Sequence, residues 1–448
     1  MTRSPHKIFT DHFAFLDTIQ IESSYGYVSA ISGLMLEGSG LTTESSIGTQ
    51  CIIHTNQDRD IKAQIVGFKN GKALLMAFGP LDGVGIGSKI TITQSKSYLF
   101  PDQHWLGRVI NAFGDPIDEL GPLPQGTEPI PLLNTPPPAH QRKRVHRRID
   151  LGVKALNTFI PACEGQRLGI FAGSGVGKSM LMSMLARYTE ADVNVIGLVG
   201  ERGREVQEFL YDDLGEEGLK KSVLVVATSD ESPLMRRQAA YTTMAVAEYF
   251  RNQGKHVLCI IDNITRFAMA QREIGLSVGE PPTTKGYPPS VYSELPRLLE
   301  RAGPGLKDQG SITGFFTVLV EGDDFNEPIS DTVRGILDGH IILDRKIADR
   351  GRYPSIHVLK SISRMLPDCH SDEENELLRI AKKYLSLYED MSEMIRLGAY
   401  RKGSDPDVDK AILYYNDLED FLTQNYTTYI SQQDAFRTLS EIIQKYEE

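Results

Sequence analysis

Long apolar runs are missing from this chain of 448 residues. None approaches the roughly 20 residues that a membrane-spanning helix needs. The first residues, MTRSPHKIFTDHF, lack an apolar core, so no secretory signal is expected. Cysteine is scarce. Cys51, Cys163, Cys259 and Cys369 are widely spaced and form no CxxC pair. Neither a zinc site nor a disulfide framework is suggested, and a reducing cytoplasm is the expected setting. An excess of positive charge is absent too. Lys and Arg number 48 against 59 Asp and Glu, a formal net charge of −11. That balance argues against a general nucleic-acid binder.

What is present is an ordinary globular mixture, 40% apolar and 24% charged, able to bury a large core. At roughly 150 residues per domain the length suggests about three domains. Residues 1–24 read as an N-terminal arm. Ile8, Phe9, Phe13, Leu16 and Ile19 could form one face of a short helix there, docked on the body or on another protein. Residues 25–93 hold short, alternating, Val- and Ile-rich segments punctuated by glycine, the pattern of a small β-barrel. Residues 1–92 carry 7 basic and 8 acidic side chains, so this is no cationic nucleic-acid groove.

Residues 94–150 read as a linker and lead-in to the core. The stretch PLPQGTEPIPLLNTPPPAH is expected to be extended. The basic run Arg142, Lys143, Arg144, Arg147 and Arg148 is read most simply as a solvated linker, with a phosphate or an acidic partner as the alternative contact. From 151 to 365, buried-strand candidates such as RLGIF, VNVIGLVG and HVLCIID alternate with helical stretches, which means a parallel sheet covered on both faces. Residues 366–448 read as helical. Leu377, Leu378, Ala381, Tyr384, Leu385, Tyr388, Met391 and Ile395 make a helical stripe. Further helices are expected around 407–423 and 431–446, the last capped by Ser431.

The strongest chemical signal is Ala172-Gly173-Ser174-Gly175-Val176-Gly177-Lys178-Ser179, between the strand RLGIF and the helix KSMLMSMLARY. This is the context a phosphate loop requires. Its glycines let several backbone N–H groups face one point, and the helix adds its positive end. Lys178 can reach β- and γ-phosphates, and the Ser179 hydroxyl can ligate Mg²⁺. The first position is Ala172 where the common pattern has glycine. A carboxylate at the end of another buried strand should complete the site, and Asp262, closing HVLCIID, supplies it; a strand-end turn cap is the plainer alternative. Asn263 follows, so no neighbouring Glu can polarise water there. Glu201, at the end of VNVIGLVG, is the candidate general base, provided that its strand lies beside the phosphate-loop strand. The plainer alternative is a structural Glu201–Arg202 or Glu205–Arg204 ion pair.

With these residues in place a resemblance emerges. GQRLGIFAGSGVGKS, VIGLVGERGREVQEFL, IIDNITRFAMAQREIG and RYPSIHVLKSISR resemble the hexameric RecA-like ATPases of rotary type, which include the α and β subunits of F-type ATP synthase and the ATPases of type III secretion. GYPPSVYSELPRLLERAG and VLVEGDDFNEPISDTVRGILDGHIILDR resemble the flagellar export branch. The resemblance runs from about residue 25 to 448. It implies an α/β RecA-like P-loop NTPase core with an N-terminal small β-barrel and a C-terminal α-helical domain.

By the same resemblance the substrate is ATP with Mg²⁺. Glu201 matches the carboxylate that activates water, Tyr353 the tyrosine that stacks on adenine, and Arg364 the arginine that reaches a neighbouring subunit's γ-phosphate. Arg202 and Arg266 would orient the site. Implied partners are a hexameric ring of the same chain, a stator-like protein at the N-terminal arm, a coiled-coil stalk in the pore, and the export gate, chaperones and exported proteins. No nucleic acid is expected. The implied location is cytoplasmic, on the inner face of the membrane. Departures from the pattern are Asn157 in Ala155-Leu156-Asn157 and Asn263, positions that the family does not place on the nucleotide. Alternatives are an injectisome ATPase, a catalytic subunit of a rotary ATP synthase, and an RNA-translocating ring. GYPPSVYSELPRLLERAG argues against the synthase, and the near-neutral first 92 residues argue against the RNA translocase.

Overall fold

The computed structural model describes residues 25–41, 45–56, 59–94, 97–145, 147–320, 322 and 324–447. The helix face expected within residues 1–24 lies outside them. The described chain makes two compact units, one of the residues up to Ser97 together with Ser277–Gly279, the other of Tyr98–Leu276 and Glu280–Glu448.

The first unit follows from alternation, clearest in the third strand, Gln50–His54. β1 (Tyr25–Ser32), β2 (Met35–Ser39), β3 (Gln50–His54), β4 (Asp60–Lys69), β5 (Lys72–Ala77) and β6 (Lys89–Gln94) close into an antiparallel barrel in the order β1-β2-β5-β4-β3-β6. Closure leaves no unpaired sheet edge. Every second side chain points inward, so Val28, Leu36, Cys51, Ile53, Ile61, Ile65, Leu75 and Ile90 form one buried cluster. Register shifts at Val28/Ala30, Gln50/Cys51 and Ile65/Gly67 are bulges, which sharpen strand curvature. Gly38 is required by space: a Cβ there would sit 2.8 Å from both Leu41 and Leu75.

The second unit is an α/β sheet carrying a helical C-terminal part. Its main strands are β7 (Arg108–Ile110), β8 (Arg167–Ala172), β9 (Val193–Glu201), β10 (Ser222–Thr228), β11 (His256–Asp262), β12 (Ser311–Leu319), β13 (Gly339–Leu343) and β14 (Ile362–Ser363). They lie in the order β14-β13-β8-β12-β11-β9-β10-β7. All pairs along this path are parallel except β13–β14. Both faces are covered, so strands such as β11 are buried at every position. The sheet's principal helices include α1 (Lys178–Tyr188) and α2 (Pro233–Asn252). Beyond the sheet come α3 (Asp372–Arg396), α4 (Pro406–Leu422) and α5 (Gln432–Glu447). Ser371 and Glu374 form a capping box on α3. Ser431 Oγ accepts from Asp434 N–H at 3.1 Å at the start of α5, as its cap role requires. Tyr384 of α3 stacks on Tyr414 of α4, 4.5 Å between centroids. Among the described residues no helix is long and apolar enough to cross a membrane.

The stretch expected to be a linker is structured and, from Tyr98 on, belongs to the second unit. β7 extends the sheet beside β10. Trp105 is fully buried and donates Nε1–H to Pro124 O at 2.8 Å. The basic run is not a solvated linker. Arg142 donates to Pro137 O at 2.7 Å, and Lys143 to Gln309 O at 2.5 Å. Arg147 reaches Glu164 and Glu190. Arg148 grips both carboxylate oxygens of Glu374 at 2.9 Å, a paired geometry that the guanidinium favours. Only Arg144 fits the solvated reading, standing exposed. The run is a strap whose partners lie up to 226 residues away, out of reach of local sequence reading.

One ion pair is sealed completely. Arg301 (1% exposed) donates to both oxygens of Glu248 (0% exposed) at 2.9 and 2.8 Å. Arg301 also holds Leu132 O at 2.7 Å, and Asn134 donates to Glu248 at 3.0 Å. Removing one partner strands a buried charge. Arg301→Met is therefore expected to cost about 3–5 kcal/mol, read as a lower denaturation midpoint; an unchanged midpoint would remove this pair from the fold's essential contacts.

Candidate functional site

β8 delivers the chain to the site and ends at Ala172, buried between Leu319 of β12 and Leu343 of β13. The chain then turns. Gly175 and Gly177 have φ of +75° and +87°, values that favour glycine strongly. Val176, between them, is buried and pins the loop to the core. Gly177 is also the N-terminal cap of α1, and no side chain caps that end, so the first N–H groups of α1 have no side-chain acceptor. The loop is held from behind: Ser355 Oγ donates to Val176 O at 2.5 Å and Arg345 Nη2 to Ser174 O at 3.0 Å. Gly173, Ser174, Gly175, Gly177, Lys178 and Ser179 line a cavity of about 440 Å³. A cradle of free N–H groups at a helix start suits phosphate oxygens.

Lys178, Asp262 and Glu201 meet in this cavity. Lys178 Nζ lies 2.5 Å from Asp262 Oδ1 and 3.4 Å from Glu201 Oε1. Thr317 Oγ1 donates to the same Asp262 oxygen at 2.5 Å. Burial pulls the Lys178 ammonium down, but the Asp262 and Glu201 charges outweigh it and hold its pKa above the ordinary lysine value. Burial pushes Asp262 up, with Lys178 offsetting only part of that push. Burial likewise raises Glu201, opposed by Lys178 and reinforced by a hydrogen bond with Glu205. Two acids and one cation this close titrate as a coupled group rather than one by one.

The strand of Glu201 does not lie beside the phosphate-loop strand, as the sequence argument supposed. β12 and β11 stand between β8 and β9. Glu201 reaches the site because β9 runs three residues past Leu198, the partner of Asp262. The pairing shifts between Val199 and Glu201, and Gly200 has φ of +71°. Such a bulge re-aims the next side chain. The plainer alternative, a Glu201–Arg202 or Glu205–Arg204 pair, is not what forms: Arg202 lies 3.9 Å from Glu205 and Arg204 2.7 Å from Glu208.

Asn263 was expected to matter little. It lines the cavity and donates Nδ2–H to Glu201 Oε1 at 2.5 Å, while its own Oδ1 accepts from Arg266 N–H at 2.8 Å. Arg202 and Arg266 also line the cavity. Arg202 is 81% exposed, whereas Arg266 has a buried Nε without a hydrogen bond. Arg236, which the sequence reading passed over, lines it too, pinned by both oxygens of Glu273 at 3.1 and 3.0 Å.

Tyr353 stands next to the loop: a Cβ on Gly177 would come within 3.1 Å of its ring. Its carbonyl accepts from Gln424 N–H at 2.9 Å. Arg364 is not brought to the cavity of its own chain. It follows β14, which pairs with Gly339 and His340 at the start of β13, whereas Leu343 at the other end is level with Ala172. At ~3.3 Å per residue that offset is roughly 13 Å. Its side chain is exposed.

Residues 152–363 match the ATP synthase alpha/beta family, nucleotide-binding domain. Residues 28–94 match that family's beta-barrel domain, and 370–441 the T3SS EscN ATPase C-terminal domain. A flagellum-specific ATP synthase of Caulobacter vibrioides is 54% identical, covering 96% of this chain and 98% of that protein. That of Bacillus subtilis is 48% identical, covering 92% and 94%. Among solved structures, the assembled ATPase EscN of the enteropathogenic E. coli type III secretion system has a TM-score of 0.88 at 37% identity, covering 93% of this chain and 100% of that one. EscN in complex with its central stalk EscO has a TM-score of 0.85 at 36% identity over the same shares. The phosphate loop, the barrel and the C-terminal helices thus have counterparts along nearly the whole length: the chain belongs to the ATP synthase alpha/beta family, in its flagellum-specific branch, and is an ATPase.

Proposed function

We propose that this ATPase drives flagellar protein export, hydrolysing ATP at the interface between copies of the chain and delivering unfolded flagellar subunits to the export gate. The observation that carries the reading is the Lys178–Asp262–Glu201 cluster facing the phosphate loop. The loop amides and Lys178 bind the phosphates. Glu201, held by Asn263, takes the proton of the attacking water. Tyr353 stacks on the base. Arg364 acts on the nucleotide of the neighbouring copy, where its charge stabilises the departing phosphoryl group.

Mg²⁺ fits the donors: the Ser179 hydroxyl and the buried Asp262 carboxylate are hard oxygen ligands. It would supply neutralisation of phosphate charge. The relatives called assembled and stalk-bound support a hexameric ring with a coiled-coil stalk in its pore. A stator-like protein at the N-terminal arm, chaperones and exported proteins complete the partner set, at the inner face of the cytoplasmic membrane.

A shared site makes activity depend on assembly. Turnover per subunit is expected to rise with protein concentration; a constant rate from a species shown to be monomeric by light scattering would overturn the interface. The site also sets an acid limit. Glu201 works as a base only when ionised, and its pKa is raised, so turnover should fall on acidification earlier than for an ordinary glutamate. Glu205 contributes to that rise. Glu205→Gln is therefore expected to move the acid limb of the kcat profile to lower pH; an unmoved limb would separate Glu205 from the base.

A further inference from the structure

Glu201 owes its aim to one irregular step of the chain. Pairing of β9 with β11 ends at Leu198, opposite Asp262, and pairing with β10 slips between Val199 and Glu201. Beyond the slip, Glu201 O accepts from Ser229 N–H at 3.0 Å. Side chains supply further support. A Cβ on Gly200 would lie 2.9 Å from Arg266 Cβ and 3.5 Å from Arg236 Cδ, so both arginines pack against the bulge.

The sheet explains why two arginines meet there. β11 and β10 flank β9. Arg266 stands near the start of the helix Ile264–Ser277, which follows β11, and Arg236 near the start of α2, which follows β10. Each neighbour of β9 thus passes into a helix that lays one arginine over Gly200. The two differ in anchorage. Arg266 has a buried Nε without a hydrogen bond. Arg236, 11% exposed, donates from Nε to Glu231 O at 3.2 Å and from Nη2 to both oxygens of Glu273 at 3.1 and 3.0 Å. Charge-assisted bonds of this kind are the stronger ones. Glu273 lies about two turns beyond Arg266 on the same helix. The ion pair therefore ties the two helices together across the bulge. Among the described residues that line the cavity, Arg236 is one and Glu273 is not.

We propose that Arg236, braced by Glu273, is a positioning residue for Glu201: it holds the Gly200 bulge so that the carboxylate stays aimed into the phosphate-loop cavity. A general base works only within hydrogen-bond reach of the proton it takes, and a displacement of about 1 Å can cost on the order of 10²-fold in rate. Arg236 acts through the backbone it packs against, and Glu273 acts through Arg236. The proposal rests on the reading of Glu201 as the base; the brace between the helices does not.

The test compares Glu273→Gln, Arg236→Ala, their double variant and Glu273→Asp, each as the full assembled chain. Glu273→Gln changes no residue of the cavity wall, yet it is expected to lower kcat by roughly 10-fold or more while the affinity for a non-hydrolysable ATP analogue stays within about twofold. The double variant should be no slower than Arg236→Ala alone, since one residue works through the other. Glu273→Asp should restore most of the rate. Amide hydrogen exchange over residues 199–203 should quicken in Glu273→Gln. Unchanged exchange there, losses that multiply in the double variant, or a lower denaturation midpoint with kcat intact would each overturn the positioning role. Glu201→Gln is measured alongside. Its full turnover would overturn the base itself, whereas an inactive Glu201→Gln beside a Glu273→Gln at the wild-type rate would overturn only the part given to Arg236.

Discussion

Lys178→Ala abolishes ATP turnover, by on the order of 10² to 10³-fold at the least, the scale for removing one preorganised charge stabiliser from a shielded site. The substitution acts twice. It removes the only side-chain cation within the phosphate loop itself, and it leaves Asp262 and Glu201 facing each other without the ammonium that sits 2.5 and 3.4 Å from them. Both acids are already displaced upward by burial. Losing Lys178 removes the charge that opposes that rise, so the base is compromised along with phosphate binding. Steady-state hydrolysis of the purified variant checks this. Turnover near the wild-type rate would refute the assignment of the loop.

Arg364→Ala spares nucleotide binding and lowers turnover by on the order of 10³-fold. The basis is placement: Arg364 is exposed and lies at the opposite end of β13 from the loop of its own chain. An arginine so placed serves catalysis only across an interface. Mixing the two inactive proteins therefore gives a sharper test than either alone. A ring assembled from both variants contains junctions where an intact loop meets an intact Arg364, and these should recover part of the activity. No recovery from rings shown to be mixed, or full activity of Arg364→Ala alone, would remove Arg364 from the mechanism.

The phosphate loop was legible because everything it needs is local: a strand, a run of glycines with left-handed backbone, and a helix start within eight residues. The barrel was legible for a similar reason, since alternation over five or six residues writes the inward face directly. Legibility ends where contacts span the sheet. Glu201 was chosen correctly as a residue of the cavity, but by way of a strand order that does not hold; a bulge at Gly200 performs the reach that adjacency was supposed to supply. Asn263 was discounted on the family pattern, although its amide holds the carboxylate assigned as base. The basic run was misread because charge density alone does not reveal carboxylates such as Glu374 that the fold brings to it.

The stretch from Asp344 to His357 touches both the phosphate loop and the end of α4. Arg345 and Ser355 hold the phosphate loop, Tyr353 stands beside it, and Arg352 lies 3.2 Å from Glu419 of α4 while Gln424 donates to the Tyr353 carbonyl. That ribbon works as a tie-rod. A displacement at the end of α4 would thus have a direct route, by one ion pair and one backbone hydrogen bond, to the residues that hold the loop.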